Sequence, residues 1–489
     1  MTAPSLKCGT PFASGTSPQK WHLEPQTSAV FHRSLNETYL KILSADGIYL
    51  NMENGQKILD ATGGPAVACL GHNNPTVKAA MIAQINSSAY CHSLFFSTEA
   101  TEQLCNNLVR GTGGHMSRAF IASSGSEAIE AAIKMARQYF IELEGPNTKR
   151  KNFISRRPSY HGNTIGALSL GGHPTRRKIF EPLLCQNVSY VSPCYEYRGL
   201  KDGENQENYV NRLSQELDDE FQRLDPSTVC AFTAETVVGS ALGCAIPVPG
   251  YFAAMRKVCD KYGALLILDE IMCGMGRCGY LHAWQSPEVN VTPDIQTIGK
   301  GLGGGYAPIS AMLVGKRVVD VISTGSGSFN HGHTYQAHPV ACAAALAVQN
   351  LVEGEGLVEK VKSLGFILGA SLKKKLSDRW YVGDIRGVGL FWAIEFVKNR
   401  HTKEPFESSQ QVGFRIHQVG ISAPYSISLY YGGGYPDGST SDHILLAPPY
   451  ICSAEDIEFI VTTVGSVLDD FFSRSDSPKE FQEIIYMAD

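Results

Sequence analysis

Short apolar runs and amphipathic segments alternate between residues 75 and 340 of the chain. The apolar runs are typical of β-strands. They are Ala119–Ser123, Phe153–Ser155, Val229–Ala234, Ala264–Leu268, Gln296–Ile298 and Ala311–Val314. After the first run, Glu127–Phe140 carries apolar residues at helical spacing. The run Ala264–Leu268 is apolar at every position, as expected for a strand that is buried on both faces of a parallel sheet. The alternation predicts an α/β fold with a mostly parallel sheet flanked by helices.

The flanking regions follow other patterns. Residues 46–60 read as a hairpin that turns at Asn54-Gly55. Beyond residue 340 we predict a second α/β unit. Its elements are the helices Ala341–Val352, Leu357–Leu376 and Ala454–Arg474, the strands Gly389–Phe396 and His443–Leu446, and the loop Gly432–Ser441. We therefore expect a large domain at 76–340 and a small domain at 341–489. Residues 1–75 are expected to form an N-terminal arm, loosely ordered over 1–28, and a segment that joins the small domain.

Composition narrows the class of protein. The chain has 489 residues, 43% of them apolar and 18% charged, which is typical of a globular protein with a large core. Its net charge of −5 does not suggest a nucleic-acid-binding surface. No apolar run is long enough to cross a membrane. The first residues lack an apolar signal core, which favours the cytoplasm and leaves a mitochondrial presequence open. The 13 cysteines are scattered and odd in number, so we expect reduced thiols and no metal site.

Two predicted strands end in residues that suit a phosphorylated aromatic ligand. Ser123–Ser126 lies between a strand and a helix, where free N–H groups and hydroxyls could bind a phosphate. The alternative is an ordinary serine cap. Tyr160-His161 follows the next strand, and its aromatic ring could stack on a planar ligand. Packing in a turn is the alternative for Tyr160.

Two further strand ends carry charged residues. Asp269-Glu270 follows an apolar strand, where a buried carboxylate needs a cation such as a metal or a cationic heterocycle. A helix cap or a surface pair is the alternative. Lys300 lies among glycines in Gly299–Gly305, which suits an amine of low pKa that forms a Schiff base, or else a solvated loop lysine. Taken together, these four features are the parts needed to bind pyridoxal 5′-phosphate (PLP).

The chain resembles the class III (ω-amino acid type) aminotransferases of the fold-type I PLP enzymes. The resemblance extends from about residue 30 to 470 and is carried by SSGSEAIEAAIKMAR, SYHGNTIGALSL, LLILDEIMCGMGRCGY and TPDIQTIGKGLGGGYAPISAML. It implies a seven-stranded, mostly parallel sheet in the large domain, a smaller α/β domain, and a homodimer with active sites at the subunit interface. It also implies ping-pong transfer of an amino group from an amine or amino acid to a keto acid such as pyruvate. Decarboxylation of a dialkyl amino acid, racemisation and elimination remain alternatives for the same cofactor.

The resemblance also assigns roles to individual residues. It makes Lys300 the Schiff-base lysine and Asp269 the partner of the pyridine nitrogen. Further cofactor contacts are implied for Ser124, Gly125 and Ser126 at the phosphate, for Tyr160, His161 and Ile271 around the ring, for Glu235 near the substrate, and for Thr334 from the neighbouring subunit. The resemblance further suggests Phe95 and Phe96 as walls of the substrate pocket, with ordinary core packing as the alternative.

The chain departs from the family where many members have an arginine that binds a substrate carboxylate. Leu445 stands at that position and cannot bind an anion. Donors that depend on this arginine, such as ornithine and γ-aminobutyrate, are therefore less expected. Arg386 resembles an arginine that binds a substrate carboxylate in some relatives. An ion pair of Arg386 with Asp384 or Glu395 is the alternative.

Overall fold

The computed structural model describes residues 28–35, 39–435, 437–438 and 440–473. The chain divides into two compact units, residues 1–41 and residues 42–489. The described residues of the first unit form no helix or strand. The predicted arm lies outside the described residues except for Ser28. Arg474, the last residue of the predicted final helix, also lies outside them.

The strands of the described residues all belong to the second unit. They are β1 (Ile42–Asp46), β2 (Tyr49–Met52), β3 (Lys57–Asp60), β4 (Met116–Ala122), β5 (Asn152–Arg156), β6 (Val188–Val191), β7 (Val229–Glu235), β8 (Leu265–Glu270), β9 (Ile295–Ile298), β10 (Ser310–Gly315), β11 (Val382–Val388), β12 (Phe391–Asn399), β13 (Glu404–Pro405), β14 (Ile427–Ser428), β15 (Tyr430–Gly432) and β16 (His443–Leu446).

The α-helices lie between these strands and around them. They are α1 (Gly63–Ala66), α2 (Pro75–Ser87), α3 (Glu99–Gly111), α4 (Gly125–Glu144), α5 (Ile165–Leu170), α6 (Pro174–Arg177), α7 (Glu196–Gly199), α8 (Gln206–Leu224), α9 (Tyr251–Lys261), α10 (Lys316–Thr324), α11 (Pro339–Gly354), α12 (Leu357–Leu376), α13 (Val412–Ile421) and α14 (Ala454–Ser473). Short 3₁₀ turns occur at Glu181–Leu183, Pro226–Thr228, Ala283–Gln285, Lys300–Leu302 and Ser408–Gln410.

The central sheet has seven strands in the order β4-β10-β9-β8-β7-β5-β6. Only β10 runs antiparallel to its neighbours, so the predicted mostly parallel sheet is confirmed. Every residue of β7, β8, β9 and β10 is buried, which explains why their sequences are apolar runs rather than alternating patterns. The sequence analysis missed β6, a half-buried edge strand whose VSYV sequence gives a weak pattern.

Helix α4 covers one face of the central sheet. Its first turn is stabilised by a capping box, in which the Ser124 hydroxyl accepts from the N–H of Glu127 and the Glu127 carboxylate accepts from the N–H of Ser124. The apolar residues that predicted this helix, Ile129, Ala136 and Phe140 among them, are buried in the core between helix and sheet. The helix therefore begins at a defined residue directly after β4.

Two smaller sheets flank the central one. The predicted hairpin is confirmed as β2 and β3, with Gly55 at φ +83° in the turn. This sheet has the order β1-β2-β3-β14, and its parallel β3–β14 pair joins residues 57–60 to residues 427–428. The other sheet has the order β11-β12-β16-β15, with β13 paired to β12. The proposed domain boundaries at residues 75 and 340 stay predictions. Among the helices of the described ranges, none combines the length and apolar character that a bilayer crossing requires.

Helix α12 and the β11–β12 turn approach so closely that only glycine fits between them. A Cβ placed on Gly365 would overlap with the backbone carbonyl of Gly389, which itself has φ +58°. We expect Gly365→Ala to lower the free energy of unfolding by about 1–3 kcal/mol, because overpacking against backbone outweighs the better helix propensity of alanine. Urea unfolding followed by circular dichroism measures this change.

Gly354→Ala is the matched control for that substitution. Gly354 ends α11, and no described atom lies within 4 Å of a Cβ built there. The control should leave stability unchanged or raise it by up to about 1 kcal/mol through helix propensity. Equal unfolding midpoints for the two variants would show that the close approach at Gly365 does not constrain the fold.

Candidate active site

Three parallel strands end at one edge of the central sheet and bring polar residues together there. The register pairs Glu235 on β7 with Asp269 on β8, and Asp269 with Thr297 on β9. Lys300 follows β9 at once and opens a 3₁₀ turn. Since ligands of such sheets bind at the carboxyl ends of the strands, this edge is the candidate active site.

The Asp269 carboxylate is buried and has a partner at each oxygen. Its Oδ2 lies 2.7 Å from Nδ1 of His161, and its Oδ1 accepts from the backbone N–H of Ile271 at 3.0 Å. The Thr297 hydroxyl donates to the same Oδ1 at 3.4 Å. His161 is held in turn by a contact of 3.2 Å between its Nε2 and Oγ of Ser155. The orientation of the carboxylate is therefore determined from several elements at once.

The Glu235 carboxylate is also buried and accepts two backbone hydrogen bonds. Oε1 accepts from the N–H of Tyr160 at 3.0 Å, and Oε2 accepts from the N–H of Gly239 at 2.8 Å. Burial raises the pKa of Glu235, and the nearby Asp269 raises it further, whereas His161 opposes the shift. The first of these hydrogen bonds fixes the backbone of Tyr160 beside the edge of the sheet.

Lys300 has an unusual backbone conformation and a free amine. Its φ is +43°, a left-handed conformation that is unfavourable for a residue with a Cβ and that is found most often at functional sites. Its Nζ makes no hydrogen bond with any residue that the structure describes. Burial lowers the pKa of Lys300, and the carboxylates of Asp269 and Glu235 oppose this shift only in part. The amine is thus biased towards its unprotonated, nucleophilic form.

The start of α4 offers an anion-binding site close to these residues. Within the described ranges, the backbone N–H groups of Gly125 and Ser126 have no acceptor, as expected in the first turn of a helix. The Ser126 hydroxyl accepts from the N–H of Asn163 at 2.9 Å, so its own proton can point elsewhere. A Cβ on Gly125 would lie 2.8 Å from Cδ1 of Ile271, which places Ile271 directly against this turn.

These observations test whether the chain fits PLP, and it does. The unpaired N–H groups at α4 suit the phosphate. The oriented Asp269 carboxylate suits a protonated pyridine nitrogen, and the unpartnered Lys300 amine suits an aldehyde. Ser124, Tyr160, His161, Glu235 and Ile271 lie on or beside the elements that hold these groups, and their contacts with the cofactor stay predictions.

Three other predicted residues are exposed within the single chain. Phe95 and Phe96 are 72% and 66% exposed, and their rings meet each other edge to face. Thr334 is exposed, and its carbonyl accepts from the hydroxyl of Tyr90. Ordinary core packing, the alternative for the two phenylalanines, is therefore wrong, because both side chains face away from the core.

Arg386 lies on β11 in a network of ion pairs. Its Nη1 contacts Asp384 at 2.9 Å and Glu395 at 2.8 Å, while Nε and Nη2 donate to the carbonyls of Gly243 and Leu242. Although burial opposes the shift, Arg386 and a second guanidinium hold the pKa of Glu395 below its usual value. Both ion pairs that the sequence analysis left open are present. Each nitrogen of Arg386 already has a protein acceptor, so a role in substrate binding stays a prediction.

Leu445 and Glu270 do not contribute an ionic group to the site. Leu445 is fully buried in an apolar cluster. Glu270 follows Asp269 but points away, and it accepts hydrogen bonds from Thr236, Trp284 and Gln296 among others. Burial raises the pKa of Glu270 to about 7. Among the described residues, no three histidine, cysteine, aspartate or glutamate side chains form a metal-binding group.

Sequence reasoning missed two residues near the site. Arg176, at the end of α6, lies with its guanidinium carbon 4.6 Å from the ring centroid of Tyr160. Tyr435, in the loop after β15, packs edge to face on His173 and donates to a backbone carbonyl at 3.0 Å. Arg176 follows Tyr160 by 16 residues in the sequence, and Tyr435 follows it by 275 residues. Neither residue therefore belongs to a recognisable motif. Pro436 and Ser439 of the same loop lie outside the described residues.

A mostly parallel seven-stranded sheet with an anion site, an oriented carboxylate and a free lysine at one edge defines a fold-type I PLP enzyme. The chain matches the family model described as aminotransferase class-III over residues 30–430. It is 52% identical over 427 residues to a protein of Gibberella zeae named aminotransferase, with 87% of this chain and 83% of that protein covered.

Two further relatives extend the comparison. The chain is 34% identical over 456 residues to gamma aminobutyrate transaminase 3, chloroplastic, of Solanum lycopersicum, with 91% and 83% of the two chains covered. A solved amine transaminase from an uncultivated Pseudomonas species, in a PLP-bound form, has a TM-score of 0.82 and 31% identity, with 93% and 99% covered. The chain therefore belongs to the class III aminotransferases and is a PLP-dependent enzyme. Its relatives favour amino transfer over decarboxylation, racemisation or elimination.

The environment of Lys300 predicts a measurable titration. In protein stripped of PLP, competitive labelling with acetic anhydride and peptide mapping should give Lys300 a lower midpoint than a free lysine side chain, because burial disfavours its charged form. Asp269→Asn should lower the Lys300 midpoint further, since the Asp269 carboxylate stabilises the ammonium. A Lys300 midpoint equal to that of a free lysine side chain would contradict this account of the site.

Proposed function

We propose that this aminotransferase works by a ping-pong exchange in which donor and acceptor bind in turn beside Lys300. PLP, when bound, supplies an aldehyde for the nitrogen and a ring that withdraws electrons from the substrate carbon. The observation that carries the proposal is the free, buried Lys300 amine next to the oriented Asp269 carboxylate. The two groups are held on neighbouring strands of the same sheet.

Each residue of the site then has a defined task. Lys300 would hold PLP at its aldehyde, and its Nζ would accept the substrate proton and return it later. Asp269 keeps a proton on the pyridine nitrogen, while His161 and Thr297 hold the carboxylate in place. The first-turn N–H groups of Gly125 and Ser126 bind the phosphate.

The remaining assignments concern the rim of the cofactor site. Tyr160 and Ile271 enclose the two faces of the ring, and Ser124 fixes the turn that binds the phosphate. Glu235 lies near the substrate, where its hydrogen bonds to two backbone N–H groups keep it from turning away.

We further propose a homodimer, which the family resemblance implies. Leu94, Phe95 and Phe96 form a run of exposed apolar side chains, and such a patch is typical of a protein interface. Thr334 is exposed as well, and its backbone carbonyl accepts a hydrogen bond from the hydroxyl of Tyr90. In this proposal Thr334 reaches the phosphate of the neighbouring subunit, and Phe95 and Phe96 line the pocket at the interface.

We assign the protein to the cytoplasm. The cysteines among the described residues are all free thiols, which supports a reducing compartment. The possibility of a mitochondrial presequence concerns residues that lie outside the described ranges. Fractionation of cells that express the full chain tests the assignment.

Lys300→Ala should abolish amino transfer. We expect the rate with an amine donor and pyruvate to fall at least about a hundredfold, the lower end of what a positioned proton-transfer group contributes. Lys316→Ala is the control, because Lys316 is exposed and its ion pair within the described ranges is with Asp320 on the surface. A folded Lys300→Ala variant that retains a tenth of the activity would refute the mechanism.

The dimer is tested by changing its proposed interface. Light scattering of the unmodified protein should give twice the mass of one chain. Phe95→Asp should shift the protein towards the monomer and reduce activity, because burying an unpaired charge in an interface is unfavourable. Phe366→Asp is the control, since Phe366 is 80% exposed on α12. A monomeric, fully active unmodified protein would overturn this proposal.

A further inference from the structure

Arg176 is a cation beside the candidate active site that has no ionic partner among the described residues. Its guanidinium lies over the Tyr160 ring, and it makes neither a hydrogen bond nor an ion pair with any residue in the described ranges. Its neighbour Arg177 is different, because it donates to the carbonyls of Ser169 and Gly171 at 2.8 Å and is buried. Arg177 has a structural role, whereas the half-buried Arg176 keeps its donors available.

The charge of Arg176 acts on the reacting end of the site. Burial is the largest cause of the lowered pKa of Lys300, and the carboxylates of Asp269 and Glu235 oppose it. The positive charge of Arg176 lowers this pKa by a smaller amount, so the guanidinium is close enough to influence the amine. Burial and the charge of Glu235 raise the pKa of Tyr435, whereas the charge of Arg176 lowers it. Tyr160, beneath the guanidinium, is joined to Glu235 by the backbone hydrogen bond described above. Arg176 therefore stacks on Tyr160, and its charge acts on Lys300.

The other candidates for binding a substrate anion are largely engaged by protein acceptors or are apolar. Each nitrogen of Arg386 has a protein acceptor, and Leu445 is apolar and buried. The Glu235 carboxylate is occupied by two backbone N–H groups and does not pair with Arg176. A keto acid acceptor carries a carboxylate, and a guanidinium binds a carboxylate through two parallel hydrogen bonds. Arg176 is positioned to supply them.

We propose that Arg176 binds the carboxylate of the keto acid and amino acid substrates of this enzyme. The inference rests on the proposed amino transfer beside Lys300 and adds the substrate class: small acids with one carboxylate within reach of the guanidinium. The Tyr160 ring supports the guanidinium from below and limits its conformations. Amine substrates without a carboxylate do not use Arg176.

A competing role for Arg176 is purely structural, as a support for the Tyr160 ring. The two roles differ in what they affect. A supporting residue would alter cofactor retention and would slow acidic and neutral substrates alike. A carboxylate-binding residue alters affinity for acids and leaves the neutral amine and the bound PLP unchanged.

The test uses the holoenzyme and its variants Arg176→Met and Arg176→Lys. The probe is propionate, an unreactive carboxylate, and its dissociation constant is measured by calorimetry. We expect Arg176→Met to raise that constant about 10- to 100-fold, the range expected for a lost hydrogen-bonded charge, and Arg176→Lys to raise it less. Lys178→Met is the control, because Lys178 is an exposed cation two residues away.

A matched pair of amino donors gives a second readout. Alanine and 2-aminopropane differ by a carboxylate in place of a methyl group, and their half-reactions are followed at the visible absorbance of the holoenzyme. Arg176→Met should lower kcat/KM for alanine relative to 2-aminopropane by the same 10- to 100-fold. Bound PLP, measured after release by alkali, should equal that of the unmodified enzyme.

Three outcomes would overturn the assignment of Arg176. They are no binding of propionate by the unmodified holoenzyme, equal affinities in the Arg176→Met variant, and equal losses for the two donors. The proposed function fails separately, if no donor transfers nitrogen to any keto acid. Propionate binding that depends on Arg176 would then still locate a carboxylate site, so the two failures are distinguishable.

Discussion

The Asp269 carboxylate is a charge buried at the end of an apolar strand, and the layout of the site follows from the need to stabilise it. An unpaired buried charge would be very unfavourable, so the fold surrounds Asp269 with donors. His161 comes from the loop after β5 and Thr297 from the neighbouring strand β9. These two partners also set the places of Tyr160, which precedes His161, and of Lys300, which follows Thr297. One electrostatic requirement therefore positions residues from three segments of the chain.

Much of the central sheet could be predicted because its strands are buried on both faces. The fully apolar run Ala264–Leu268 predicted β8 with both ends within two residues of the observed ends. The periodicity of Glu127–Phe140 predicted most of α4. The strand β11 was missed because Asp384 and Arg386 lie within it. Those charges are stabilised there by their mutual ion pair, by an ion pair with Glu395 on β12, and by hydrogen bonds to carbonyls more than a hundred positions away, which no local pattern reveals.

The candidate site was predictable where several residues form one local motif, and not where a single residue arrives from elsewhere. Asp269, Lys300 and the turn before α4 each stand in a recognisable segment at a strand end. Arg176 and Arg386 show the limit of this approach, since both are arginines without a motif. Their surroundings separate them: Arg386 has a protein acceptor at each nitrogen, and Arg176 has none among the described residues. Only tertiary contacts carry that distinction.

The left-handed backbone of Lys300 has a consequence for any attempt to improve this enzyme. A conformation that glycine adopts freely is held here by a side chain that the chemistry requires, at a cost of about 1–3 kcal/mol. Glycine at this position would relieve that cost and remove the amine. Directed evolution that scores heat resistance alone would therefore reward inactive proteins, and selection for durability must be coupled to selection for turnover.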